Sequence, residues 1–108
     1  MQVEEYVREN GSNPFRSWFD DLNAPAAAKV ATALLRLETG NLSSLKWIGG
    51  GLGECRIDWG PGYRVYLTRE DEALLILFGG GTKKRQQADI DRARALLEEH
   101  RARKAAKE

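Results

Sequence analysis

ECRIDWGPGYRVYL, Glu54 to Leu67, is the stretch whose reading decides the fold. Its first half, Glu54-Cys55-Arg56-Ile57-Asp58-Trp59, alternates polar and apolar residues, and its second half, Tyr63-Arg64-Val65-Tyr66-Leu67, alternates again. A period of two is the mark of a strand with one covered face. Gly60-Pro61-Gly62 between the halves is turn chemistry, so the stretch reads as a β-hairpin. Cys55, Ile57 and Trp59 take the core face, as do Tyr63, Val65 and Leu67, which sends Arg56, Arg64 and Tyr66 together to the outer face. Opposed directly across the hairpin, Arg56 and Arg64 repel each other. Either Glu54 and Asp58 offset them, or the surface expects an anion.

Downstream, Glu70-Asp71-Glu72 reads as a turn and Ala73 to Phe78 as a strand covered on both faces. That strand leads into FGGGTKKRQQADI, Phe78 to Ile90. The glycines permit a close approach, Lys83 and Lys84 follow the strand at once, and a helix is expected from Gln87 to about Lys104, with Ile90, Ala93, Leu96 and Leu97 at helical spacing. Consecutive strands usually lie side by side, so the two lysines arrive at the edge of the Arg56 and Arg64 surface. Lys46, in the loop before the hairpin, is placed to join them. The glycine runs at 49–51 and 79–81 fit neither the phosphate-loop nor the dinucleotide spacing.

Upstream, Val3 and Val7 flank Glu5 in a short expected strand. The turn residues Asn10-Gly11-Ser12-Asn13 precede Pro14, which suits a first helical position with Asn13 as N-cap. Phe15, Trp18, Phe19 and Leu22 then form an apolar stripe of helical period. Asn23-Ala24-Pro25 starts a second helix, with Ala27, Val30, Ala31, Leu34 and Leu37 as its expected buried stripe and Gly40-Asn41 as its end. Leu42 to Gly53 shows little periodicity and reads as a loop. The expected order is β-α-α-β-β-β-α, an α+β class with the helical hairpin covering the sheet, in a single domain of residues 1–108.

Composition is that of a globular domain, 42% hydrophobic and 31% charged. The single cysteine, Cys55, excludes an internal disulfide and a cysteine-rich metal site and fits a reducing compartment. With no secretory core and no apolar run of membrane-spanning length, the simplest expectation is a cytoplasmic protein. The formal charge is only +1, but residues 82–108 hold 9 Lys/Arg against 5 Asp/Glu. Positive potential is therefore concentrated in the last quarter, and the segment from about residue 98 reads as a basic tail that is free to fray. The only histidine, His100, lies in that tail, so no histidine-based catalytic pair or metal cluster is expected.

The set PFRSWFDDL, RLETGNL, ECRIDWGPGYRVYL and LLILFGGGTKKRQQADIDRA closely resembles the RelE/ParE superfamily of type II toxins. Within it, the HigB-like branch, also called addiction module killer or phage Gp49-like proteins, is the nearest in pattern. The resemblance covers about Tyr6 to Leu97. It implies a RelE-like domain with two N-terminal helices on a twisted, mainly antiparallel sheet. It also implies a ribosome-dependent mRNA endoribonuclease that needs no metal or cofactor. The implied partners are the ribosome, mRNA and a cognate antitoxin, usually a helix-turn-helix DNA-binding protein, in a hetero-oligomeric complex. Carried over by position, the catalytic residues are Arg56, Arg64 and Lys83 or Lys84. Lys46, Glu54, Tyr66, Arg85 and Gln86 surround that set and are expected to contact RNA. With no histidine at hand, one of the lysines or Glu54 has to move the proton. The ParE arm of the superfamily shares the fold and inhibits DNA gyrase without cutting RNA, and a chain that only binds antitoxin is a third alternative.

Overall fold

The computed structural model describes residues 1–108. The chain runs β1 (Gln2–Glu5), α1 (Pro14–Asp20), α2 (Ala24–Glu38), β2 (Leu45–Trp47), β3 (Leu52–Ile57), β4 (Tyr63–Asp71), β5 (Leu74–Thr82), one 3₁₀ turn (Lys83–Arg85) and α3 (Gln86–Lys107). Five strands make one mixed sheet in the order β1-β5-β4-β3-β2. β1 lies parallel to β5, and the other three pairings are antiparallel. The class is α+β.

α1 and α2 begin as their sequences dictate. Asn13 and Asn23 are N-caps whose side chains accept from the backbone N–H groups of Arg16 and Ala26, and each is followed by a proline in the first helical turn. The buried stripe of α2 is Ala26, Val30, Ala33 and Leu37. It is rotated from the expected stripe: Ala31 is exposed, and Ala27 and Leu34 are half-buried. Alanines occur on both sides of α2 and mark neither, so the larger Val30 and Leu37 set its rotation on the sheet.

Leu45–Trp47, expected within a loop, is a strand, and it pairs with Gly53–Cys55 of β3. Three residues are too few to show a period. What makes the strand is the row of unpaired backbone groups along the free edge of β3. The expected order β-α-α-β-β-β-α therefore lacks one strand. The turn after β4 also falls later than expected, because Glu70 and Asp71 still belong to β4.

The larger correction concerns the face of the hairpin opposite α1 and α2. That face is not a solvated polar surface. α1 and α2 cover one side of the sheet, enclosing Phe15, Val30, Leu37, Cys55, Val65, Leu67, Leu75 and Leu77. α3 covers the other, enclosing Tyr6, Leu52, Tyr66, Ile76, Phe78, Ala93, Leu96 and Leu97. The alternation of β5 explains the two cores, since Leu75 and Leu77 point one way and Ile76 and Phe78 the other. The segment from residue 98 onward, expected to fray, continues α3 to Lys107. Tyr6 and Arg8 bond Glu99, Arg103 donates to the Val7 carbonyl, and Glu70 takes both His100 and Lys104. His100 is thus paired with a carboxylate, far along α3 from the hairpin arginines.

The three glycines of FGGGTKKRQQADI stay inside β5, opposite Tyr66, Val65 and Arg64. Two of them are there for space. A Cβ on Gly80 would enter the Trp18 ring on the α1 side, and one on Gly81 would collide with the Asp89 carboxylate on the α3 side.

Candidate functional site

The register of the hairpin sets the site. Glu54 stands opposite Tyr66, Arg56 opposite Arg64, and Arg64 opposite Gly81. Lys46 of β2 pairs with Glu54 from the outside. Lys46, Glu54, Arg56, Arg64 and Tyr66 therefore share the α3 face of the sheet, and α3 begins directly over it with Gln86 and Asp89.

Glu54 organises this face. It is fully buried, and it accepts from Arg56 Nε at 2.8 Å, Gln86 Nε2 at 2.8 Å and Tyr66 Oη at 3.2 Å. Arg64 Nε lies 3.7 Å from its Oε2. Burial pushes the Glu54 carboxyl up, but the hydrogen bonds from Arg56, Gln86 and Tyr66 outweigh it and hold the pKa below the ordinary glutamate value. The group is an ionised anchor for two guanidiniums, and its oxygens are occupied. Tyr66 responds in the opposite sense, its phenol pushed far up by burial first and by the Glu54 charge second. It remains a hydrogen-bond donor.

Arg64 is buried by its neighbours, and its Nη1 donates to the Gly62 carbonyl at 2.7 Å. Its Nε is the one buried side-chain nitrogen or oxygen with no hydrogen-bond partner. A buried donor left over beside two other cations is the sort of strain that collects at functional sites. The same Gly62 carbonyl accepts the Lys83 backbone N–H at 3.0 Å, which fixes the 3₁₀ turn beside Arg64. Gly62 adopts φ +78°, a conformation that favours glycine and that this tight turn requires. The side chains of Lys46, Lys83, Lys84 and Arg85 are all exposed and form no ion pair.

The sequence-expected residues therefore divide in two. Glu54, Arg56, Arg64, Tyr66 and Gln86 meet in one hydrogen-bonded cluster, while Lys46, Lys83, Lys84 and Arg85 stand around it in solvent. Asp58, a candidate partner for the arginines, takes no part in the cluster, since Glu54 alone holds them. Asp89 was missed by the spacing argument. Its carboxyl lies against Gly81, with only 11% of the side chain exposed, and burial raises its pKa against the opposing charges of Arg92 and Arg85. The available signal was the glycine itself, since the missing side chain on β5 is what admits the acid. No group of three or more His, Cys, Asp or Glu side chains is arranged to hold a metal ion. Cys55 lies on the other face of the sheet, where burial raises its thiol pKa.

Chemically, the cluster offers two guanidiniums held by Glu54, with the exposed side chains of Lys46, Lys83, Lys84 and Arg85 on the neighbouring segments and Arg92 paired with Asp89. Guanidiniums set side by side in this way have the charge and the planar donor geometry that suit an oxyanion such as phosphate. No helix is long and apolar enough to cross a membrane. No family model matches the chain. Over 86 residues it is 43% identical to an uncharacterized protein of Haemophilus influenzae, in an alignment spanning 79% of this chain and 87% of that relative. The chain belongs to the same family as that Haemophilus influenzae protein.

Proposed function

We propose that this protein is the toxin of a type II toxin–antitoxin pair, a RelE-like, ribosome-dependent endoribonuclease of the HigB-like kind. The observation that carries the reading is the opposition of Arg56 and Arg64 on β3 and β4, both held by one buried Glu54 and flanked by the unpaired Lys83 and Lys84. A phosphodiester attacked by its neighbouring ribose 2′-OH gathers negative charge on its free oxygens, and pre-placed guanidiniums stabilise that charge without reorganising. Arg64, fixed by Gly62, is assigned to the transition state and Arg56 to binding the phosphate. In cleavage the 2′-oxygen bonds to phosphorus, the bond to the 5′-oxygen breaks, one group accepts the 2′ proton and another supplies a proton to the leaving oxygen. Glu54, ionised with its oxygens occupied, is poorly placed to be the base, and Lys83 or Lys84, as an ammonium donor, is assigned the proton supplied to the leaving oxygen. Message and ribosome supply the orientation that a small open site lacks. The partners of this reading are the ribosome, mRNA and a cognate helix-turn-helix antitoxin.

Inducing the protein in cells and mapping new 5′ ends on translated messages tests it. Arg64→Lys keeps the charge and loses the planar fork, and is expected to lower cleavage roughly hundredfold while the protein stays folded by circular dichroism. Growth arrest with intact messages and accumulating DNA breaks would replace the nuclease reading with gyrase inhibition.

A further inference from the structure

A second cationic site lies outside the cluster. Just before β2 begins, the loop that leaves α2 runs beside Arg56, Ile57 and Asp58, and a cavity of about 390 Å³ opens between that loop, α2 and β3. Lys29 and Arg36 line it from α2, and Arg56 lines it from β3. Arg36 makes no side-chain hydrogen bond or ion pair. Lys29 lies over the Trp59 ring, 5.9 Å from its centroid, with no carboxylate partner. Arg56 uses only its Nε, on Glu54, which leaves both Nη groups without a protein acceptor. Asn41 and Ser43 complete the lining. The Asn41 Oδ1 accepts the Ser43 N–H at 3.1 Å, so the Asn41 amide NH₂ is free to donate.

Two features oppose an anion here. One is Asp58, the single carboxylate of the lining. The other is the C-terminal end of α2, whose dipole repels negative charge. The last carbonyls of α2 are hydrogen-bonded, however, by Thr39, Gly40 and Asn41. Lys29 and Arg36 without carboxylate partners, the two free Nη groups of Arg56 and the free amide remain against one acid. Solvated surface cations need no cavity, whereas these three surround one.

We propose that this cavity is a second anion subsite, holding a backbone phosphate of single-stranded RNA next to the phosphate bound by Arg64. Arg56 belongs to both sites and sets the path of the strand between them. The identity of the ligand as RNA rests on the endoribonuclease reading; the preference for an anion rests on the cavity alone.

Inorganic phosphate titrated into the ¹⁵N-labelled full chain should move the Asn41 side-chain amide and the Ser43 and Ser44 backbone amides. The double variant Lys29→Ala with Arg36→Ala should abolish those shifts. Both residues are exposed on α2, so the variant is expected to keep the parent melting temperature. For labelled oligouridylate the same variant should bind roughly tenfold more weakly, with the slope of log affinity against log salt reduced by about 0.7. Lys107→Ala, at the far end of α3, should change neither quantity. Phosphate shifts confined to the surroundings of Arg64 and Lys83 would overturn the subsite, and undiminished RNA affinity in the double variant would overturn its assignment to RNA. Should that variant lose RNA as expected while cells show no message cleavage, the subsite stands and the endoribonuclease reading fails.

Discussion

Removing the charge of Glu54 while keeping its shape, as in Glu54→Gln, leaves Arg64 buried without its counter-ion. Breaking a buried pair in this way costs about 3 kcal/mol, so the urea midpoint of Glu54→Gln should fall clearly below that of the parent. Asp89 behaves in the opposite sense. Its folded pKa is raised by burial, so its contribution to stability is present at low pH and lost as pH rises through the folded value. Asp89→Asn is therefore expected to melt higher than the parent at neutral pH and at the same temperature in acid. A gain confined to neutral pH would mark Asp89 as a group kept at some cost in stability, as functional residues often are. Neither role was legible one residue at a time. Glu54 alternates with Cys55 like any outward strand residue, and only α3 above it turns an exposed carboxylate into a buried anchor.

At the scale of elements, the end of β5 does the positioning. Gly80 admits Trp18 and Gly81 admits Asp89, while a Cβ on Gly79 would meet nothing. Gly80→Ala and Gly81→Ala should each cost about 1–3 kcal/mol through overpacking, with Gly79→Ala close to neutral in the same denaturation series. Gly81→Ala carries a second effect, since it displaces the first turn of α3 and with it the Gln86 bond to Glu54. The sequence pattern located most elements here, because caps, prolines and alternation act locally. It missed β2, which exists through the edge it covers, and it misplaced the α2 stripe, which packing rotates.

At the scale of the molecule, the N-terminal segment and the end of α3 are tied together. Glu99 is held down to about 2 by hydrogen bonds from Arg8 first and Tyr6 second. A carboxyl depressed in the folded state adds stability that is complete above its ordinary value near 4.5 and is lost as pH falls toward about 2. The parent should therefore lose stability through that window, and Glu99→Gln should lose less over the same pH range in thermal melts. Because the Glu99 side chain is 31% exposed and its partner Arg8 41%, this pH dependence is expected to weaken in high salt.

The amino-acid sequence by itself determined the hairpin, its turn, the two capped helices and the shared face of Arg56, Arg64 and Tyr66, because each follows from the period of a strand or helix and the chemistry of a cap. It also marked the cationic residues to which the proposed function assigns the chemistry. Only the tertiary structure decided that this shared face lies under α3, that one buried carboxylate holds both arginines, and that a second cationic cavity opens beside them. Those outcomes depend on which element covers which face of the sheet, and residues more than thirty positions apart in the chain, such as Glu54 and Gln86, carry no periodic signal of their meeting.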